Sequence, residues 1–134
     1  MRRSQLFIKT RRDAPADETS KNAQLLIRAG FIHKEMAGVY SYLPLGKIVL
    51  ENIIQIIRDE MNSLGGQEVI LSSLQDRELW QLSERWDSAE VDVWFKTQLQ
   101  GGGELGLAWS HEEPMTRLIS QHISSHKDLP VYTY

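Results

Sequence analysis

The longest regular alternation of apolar and polar positions in the chain runs from Lys47 to Leu64. Apolar residues recur there at steps of three and four, which places them on one face of a helix, and polar residues fill the opposite face. The pattern predicts a helix of about five turns that ends at Gly65 and Gly66, with a stripe wide enough for burial against more than one surface. The apolar positions are Leu50, Ile53, Ile54, Ile57, Met61 and Leu64, with Val49 and Ile56 widening the stripe.

Shorter runs with the same periodicity predict three further helices. The first covers Ala23–Ala29, with Ser20 as N-cap and Gly30 at its end. The second covers Gln75–Arg85, and the third follows Pro114. The residues expected to face the core are Leu26 and Ile27 in the first helix, Leu79, Trp80 and Leu82 in the second, and Met115, Leu118, Ile119, His122 and Ile123 in the third.

Alternating or β-branched residues predict short strands between these helices. The predicted strands are Val39–Leu43, Gln67–Leu71 and Val131–Tyr134, together with a hairpin in which Val91, Val93 and Phe95 face Leu105 and Leu107 across a turn at Gly101–Gly103. These helices and strands are expected to form a fold of the α+β class.

Composition narrows the class of protein without choosing a function. The chain has 134 residues, 41% hydrophobic and 25% charged, which predicts one globular domain. Its lack of cysteine excludes disulfides, thiolate nucleophiles and cysteine-based zinc sites. No membrane span or signal-peptide core is evident in the sequence, so we expect a cytoplasmic protein without membrane partners. The net charge of −3 argues against a globally basic surface for nucleic acid.

Candidate chemistry concentrates in the loop 109–114. Ser110 and Glu113 have the spacing of a capping box, and Pro114 suits a first helical turn. By itself this is a structural pattern, and capping explains it. His122 and His126 are four residues apart, as metal ligands on one helix face are, but a third ligand is not evident nearby. We therefore predict no metal site.

Several blocks of the chain resemble class II aminoacyl-tRNA synthetases, and within them the bacterial or organellar prolyl-tRNA synthetases. One block is Gly38–Gly46, followed by the long helix and the Gly65–Leu71 segment, which resembles the first signature motif of the class. Others are Leu26–Ile32 and the segment from Leu79 to Trp86. Together the resembling blocks cover essentially the whole chain.

The resemblance implies two substrate-binding residues. Ser110 and Glu112 match the threonine and the first glutamate of the family loop that holds proline, and Trp109 and His111 become possible pocket neighbours. The chemistry is sensible, since proline's secondary ammonium offers two N–H donors and one positive charge to a hydroxyl and a carboxylate. This chain departs from the family by having Ser72 and Trp109 for proline, Glu84 for glycine, Ser110 for threonine and Pro114 for an aliphatic residue.

The resemblance also implies the wider role of the chain. Residues 1–134 are expected to be the N-terminal, incomplete portion of a class II catalytic domain, with a mainly antiparallel mixed sheet flanked by helices. Within it, 46–72 is the first motif and 109–114 is the amino-acid-binding loop. The full-length parent is expected to be a homodimeric proline-tRNA ligase that uses ATP with Mg²⁺, proline and tRNA(Pro). The fragment alone is expected to hold no catalytic residue, metal or cofactor and to be inactive. The expected dimer-interface residues are Ile53, Ile57, Met61 and Val69.

Two other functions remain open at this stage. The chain is alternatively a non-catalytic synthetase paralogue, or a dimerisation and binding module that keeps the amino-acid loop. A class II enzyme for a different amino acid is a third possibility, which the Leu79–Trp86 and Ser110–Glu113 matches disfavour together.

Overall fold

The computed structural model describes residues 2–87 and 94–134, and these fall into two compact units that divide after Leu64. The first unit contains helix α1 (Lys21–Ala29), strands β1 (Ile32–Met36) and β2 (Val39–Tyr42), and helix α2 (Pro44–Ser63). The second contains β3 (Leu74–Asp76), α3 (Arg77–Leu82), β4 (Lys96–Gln98), β5 (Glu104–Leu107) and α4 (Glu112–His122). Antiparallel sheets and helices together confirm a small α+β architecture, although the single mixed sheet that we expected is replaced by two separate sheets.

The first unit packs α1 against an antiparallel β1–β2 hairpin. Ile27 is 4% exposed and Ile32 7%, and both belong to the core with Ala23. Gly30 ends α1 in the left-handed conformation, as predicted, with φ of 76°. Leu26 was expected in the core, and this is wrong, because Leu26 lies one step around the helix from Ile27 and remains 38% exposed. Ser20 stands at the N-cap position, but its hydroxyl donates to Asn22 Oδ1 instead of capping the helix.

Strand β1 was not predicted from the sequence. Its residues pair with β2 in a register that sets Ile32 opposite Tyr42, with an irregularity between Lys34 and Met36. Of the strand residues, Ile32 alone is buried, so the segment has no alternating apolar signal. Strand β2 was predicted and is confirmed, ending one residue earlier than expected.

Helix α2 confirms the long helix and begins three residues before its predicted start. Pro44 occupies the first turn, where its missing N–H costs nothing, and Gly65 follows the helix with φ of 78°. Gly46 permits a close approach, since a Cβ there would lie 2.1 Å from the carbonyl oxygen of Phe31. Within the described ranges, α2 buries this glycine alone, and Ile53 and Ile57 stay about half exposed.

The second unit builds a three-stranded antiparallel sheet in the order β3-β5-β4. The predicted hairpin is confirmed by β4 and β5, which set Thr97 opposite Leu105 around the glycine turn. Val91 and Val93 lie outside the described residues, and Phe95 precedes β4. Strand β3 was not predicted, because its pairing depends on β5, about thirty residues away along the chain.

The predicted strands Gln67–Leu71 and Val131–Tyr134 are wrong as strands. The two segments instead pair in parallel through one bridge between Gln67 and Thr133. Three backbone bonds join them there, from the Gln67 N–H to the Tyr132 carbonyl oxygen, from the Tyr134 N–H to that of Gln67, and from the Val69 N–H to that of Tyr134. The Ser72 hydroxyl donates to the Leu74 carbonyl oxygen and accepts from the Leu74 N–H, which turns the chain locally at the start of β3.

In the second unit, α3 is shorter than predicted at both ends, whereas α4 begins two residues before Pro114. Helix α3 begins at Arg77 because Gln75 and Asp76 are taken into β3, and Asp76 caps it through the Glu78 N–H. Leu79 and Trp80 are buried as predicted, whereas Leu82 is 85% exposed, so its core placement is wrong. In α4, His122 is likewise exposed instead of facing the core. Among the helices in the described ranges, none combines the length and apolar character that a bilayer crossing requires.

Candidate functional site

A buried glutamine forms a hydrogen bond with the backbone of the loop between β5 and α4. Gln75 is 4% exposed, and its amide nitrogen donates to the Ser110 carbonyl oxygen at 3.0 Å. Its amide oxygen accepts from the indole N–H of Trp80 at 2.8 Å, and Trp80 is fully buried. Gln75 therefore fixes the loop backbone to the core of the unit.

The predicted capping box at the start of α4 is wrong. The Ser110 hydroxyl accepts from the Glu112 N–H at 3.2 Å, and exposed His111 stands at the N-cap position without a side-chain bond. Glu113 does not reach back to the loop, because Arg85 supplies a charged donor that binds a carboxylate more strongly than a backbone N–H does. A capping box does occur at Ser125 and Asp128, where the Asp128 carboxylate accepts from the Ser125 N–H at 2.9 Å.

Arg85 bridges the two glutamates at the helix start. Its Nη1 lies 2.9 Å from Glu113 Oε1 and 3.3 Å from Glu112 Oε2. The Glu113 side chain is 12% exposed, and its Oε2 is buried with no hydrogen-bond partner among the described residues. The Glu112 side chain is 77% exposed. One glutamate is thus anchored in the fold and the other faces solvent beside it.

Trp109 belongs to a cluster of four tryptophans. Its ring centroid lies 5.3 Å from that of Trp80 and 6.0 Å from that of Trp94, and Trp94 packs edge-on against Trp86. The guanidinium of Arg85 stands 5.7 Å from the Trp109 ring, which is a cation–π contact. The loop is thus packed, through Trp109, against the other aromatic rings of the cluster.

A cavity of about 490 Å³ opens between α3 and α4. Glu112 and Glu113 line it at one end, and the other lining residues are Leu79, Leu82, Ser83, Thr116, Arg117 and Ser120. Of the four residues predicted from the sequence, Glu112 lines this cavity, and the Ser110 hydroxyl accepts a hydrogen bond from the Glu112 N–H. Trp109 lies beside Arg85. His111 is exposed at the helix N-cap.

Metal binding finds no support in the geometry of the described residues. Helix α4 ends at His122, and His126 begins a separate 3₁₀ turn, so the two histidines do not share one helix face. Within residues 2–87 and 94–134, no group of three or more His, Cys, Asp or Glu side chains comes together to hold a metal ion.

Sequence reasoning missed Arg85 and Gln75, the two residues that position the loop. The sequence signal for Arg85 was its place in the segment that resembles the synthetases, where it was read as part of a motif and not as a partner of Glu113. Gln75 gave no signal, since a buried glutamine in a short strand is indistinguishable from an exposed one in sequence.

Comparisons with known proteins give a consistent answer. No protein-family model matches the chain. A proline-tRNA ligase of Moorella thermoacetica is 45% identical over 134 residues, which is 100% of this chain and 23% of the ligase. A second, from Streptomyces avermitilis, is 43% identical over 133 residues, covering 99% of this chain and 23% of the ligase. This chain is therefore similar along its whole length to bacterial proline-tRNA ligases. It spans about a quarter of the length of these relatives, and a Geobacillus kaustophilus ligase matches at 42% over 24% of its length.

Solved structures of two synthetases share the fold. The RNA-binding domain structure of threonyl-tRNA synthetase from Cryptosporidium parvum superposes with a TM-score of 0.72 at 19% identity, over 81% of this chain and 28% of that one. Prolyl-tRNA synthetase from the same organism, solved with L-proline and AMP, gives a TM-score of 0.65 at 14% identity over 83% and 22%. At these identities the likeness concerns the fold alone.

Proposed function

We propose that this chain is the amino-acid-recognition portion of a class II proline-tRNA ligase. The whole enzyme would activate proline with ATP to form prolyl-adenylate and then transfer the prolyl group to tRNA(Pro). The observation that carries the proposal is the identity of 45% along the full length of the chain to a proline-tRNA ligase. A cytoplasmic homodimer is the form we infer for the whole protein.

Glu112 and Ser110 are the residues we assign to the proline ammonium. Glu112 presents an exposed carboxylate at the wall of the cavity between α3 and α4, and a carboxylate there accepts a charge-assisted hydrogen bond from a secondary ammonium. The Ser110 hydroxyl has a remaining lone pair beside the Glu112 N–H that it already accepts from. A serine in place of the family threonine removes one methyl group, about 0.8 kcal/mol of packing where that methyl is buried.

Mg²⁺ is not assigned to residues of this chain. The family uses ATP with Mg²⁺, but the side chains in the described ranges do not assemble a set of three acidic or histidine ligands. Because Mg²⁺ is commonly held by one or two carboxylates together with substrate phosphates, we assign it no residue of this chain and derive no step through it.

The exposed stripe of α2 is the surface we propose for self-association. Ile53 is 50% exposed and Ile57 55%, and Ile56 between them is 64% exposed. Isolated exposed aliphatic residues are ordinary, but a continuous row of them along a helix indicates an interface. Met61, on the same helix, is half-buried and belongs to this proposed surface. Val69, which the sequence also named for the interface, is half-buried in the second unit.

A chimaera tests the proposed activity. The matching 134-residue segment of the Moorella thermoacetica ligase is replaced by this chain, and amino-acid-dependent exchange of pyrophosphate into ATP is measured with proline, alanine and threonine. We expect exchange with proline and not with the other two. A folded chimaera that shows no exchange, or that works equally well with another amino acid, would contradict the proposal.

A further inference from the structure

Arg85 divides its bonds unequally between two carboxylates at the start of α4. The bond from its Nη1 to Glu113 is 2.9 Å long and goes to a side chain that is 12% exposed. The contact with Glu112 is 3.3 Å long and goes to a side chain that is 77% exposed. The shorter bond and the greater burial both make Glu113 the more stable partner of Arg85, and Glu112 the partner that can exchange.

Losing the bond to Glu113 would cost more stability than losing the contact with Glu112. An ionised carboxylate removed from water needs a paired cation, and Glu113 has Arg85 on one oxygen and no described partner on the other. Arg85 is itself fixed, because its backbone N–H donates to the Trp80 carbonyl oxygen at 3.0 Å and its guanidinium lies against the Trp109 ring. The guanidinium therefore has a set position relative to the core.

The contact with Glu112 has a different character. An exposed ion pair is worth little to stability, because water screens it. Among the described side chains, Arg85 is the partner of the Glu112 carboxylate, and without it a long solvated side chain would sample several rotamers. Holding that side chain beforehand removes an ordering cost from ligand binding.

We propose that Arg85 is a positioning residue for substrate recognition. It remains bonded to Glu113 and holds the Glu112 carboxylate in position before the substrate ammonium binds. The inference rests on the proposed function and adds to it the residue that arranges the two glutamates. It assigns Glu113 the task of anchoring Arg85 and Glu112 the task of binding.

The test uses a double substitution that removes the ion pair without leaving a buried charge. In the chimaera, Arg85→Gln is combined with Glu113→Gln, so that two amides replace the pair. The matched control combines Arg77→Gln with Glu104→Gln, since Arg77 and Glu104 form an ion pair in the same unit and Arg77 also lies over a tryptophan of the cluster. Melting temperature, kcat, and KM for proline and for ATP are measured for each.

The positioning role predicts a selective change in KM. We expect the Arg85 and Glu113 double variant to raise the proline KM about tenfold, with kcat and the ATP KM little changed and the melting temperature close to that of the control. Arg85→Lys alone should give an intermediate KM, because lysine keeps the charge but has neither the planar fork nor the same stacking on Trp109. The control double variant should keep the unsubstituted proline KM.

The opposite results separate the two proposals. An unchanged or lowered proline KM in the Arg85 and Glu113 variant, in a chimaera that otherwise activates proline, overturns the role of Arg85 and leaves the proposed function standing. A rise of the same size in the proline KM of the control variant overturns the role of Arg85 as well. A chimaera that does not activate proline before any substitution overturns both.

Discussion

Replacing Gln75 by methionine should destabilise the second unit, because one buried and one partly buried hydrogen bond are lost together. Methionine matches glutamine in length but neither accepts from the Trp80 indole N–H nor donates to the Ser110 carbonyl oxygen. Trp80 is fully buried, so its N–H finds no water and carries a penalty of about 1–3 kcal/mol. The Ser110 carbonyl is only half-buried and should lose about 0.5–1.5 kcal/mol. The expected loss of unfolding free energy is therefore about 1.5–4.5 kcal/mol.

Urea unfolding followed by far-UV circular dichroism measures this loss. Gln98→Met serves as the matched control, because Gln98 lies exposed in β4, and its change should stay within about 0.5 kcal/mol. Combining Gln75→Met with Trp80→Phe removes both ends of one bond, and we expect the pair to cost at least about 1 kcal/mol less than the sum of the single changes. A loss below about 0.5 kcal/mol for Gln75→Met, or strict additivity in the cycle, would refute the reasoning.

Three other regions of the chain carry predictions of their own. Glu84 has φ of 59°, a conformation that costs an L-residue about 1–2 kcal/mol, so Glu84→Gly should stabilise the chain by up to about 1 kcal/mol and Glu84→Ala should not. A lower urea midpoint for the glycine variant would contradict this. In the first unit, the hydrogen bond from the Tyr40 hydroxyl is the main cause that lowers the pKa of the Glu18 carboxyl below its ordinary 4.5. The stability that this carboxylate contributes is fully present above pH 4.5 and is lost as the pH falls through its lower pKa in the folded state. Glu18→Gln should therefore flatten the fall in melting temperature on acidification. An unaltered acid profile would count against this role of Glu18. On α2, Ile53→Asp or Ile57→Asp should shift sedimentation toward monomer, since each isoleucine buried in the interface contributes about 1.5–3 kcal/mol to association. An unsubstituted chain that sediments as a monomer at high concentration would contradict the proposed interface.

Local features of the chain were predictable, because the physics that sets them is local. The α2 periodicity and the glycine ends of α1 and α2 depend on residues within a few positions, and all three are confirmed. The start of α2 was placed late because Pro44 fits both the end of a strand and the first turn of a helix. Strand β1 was missed because one buried isoleucine gives no periodicity.

Features that depend on distant partners were not predictable in the same way. Arg85 lies 28 residues from Glu113, and the ion pair between them overrides the capping box that Ser110 and Glu113 suggest locally. Glu84 gave a partial indication, since the resemblance implies a glycine at that position and the structure has a left-handed backbone there. The nomination of Ser110 and Glu112 came from resemblance to the family, and it stays a prediction until binding is measured.

The proline KM of the chimaera carrying Glu112→Gln tests the central claim most directly, with Glu113→Gln measured beside it. If Glu112 receives the proline ammonium, its substitution should remove about 1.5–3 kcal/mol of binding and raise the proline KM roughly ten- to a hundredfold, while the melting temperature hardly changes. Glu113→Gln should lower the melting temperature, because it weakens the bond that anchors the Arg85 guanidinium, and it should raise the proline KM less than Glu112→Gln does. An unchanged proline KM for Glu112→Gln, or a rise that merely follows a lower melting temperature, would contradict the assignment of Glu112 to the substrate.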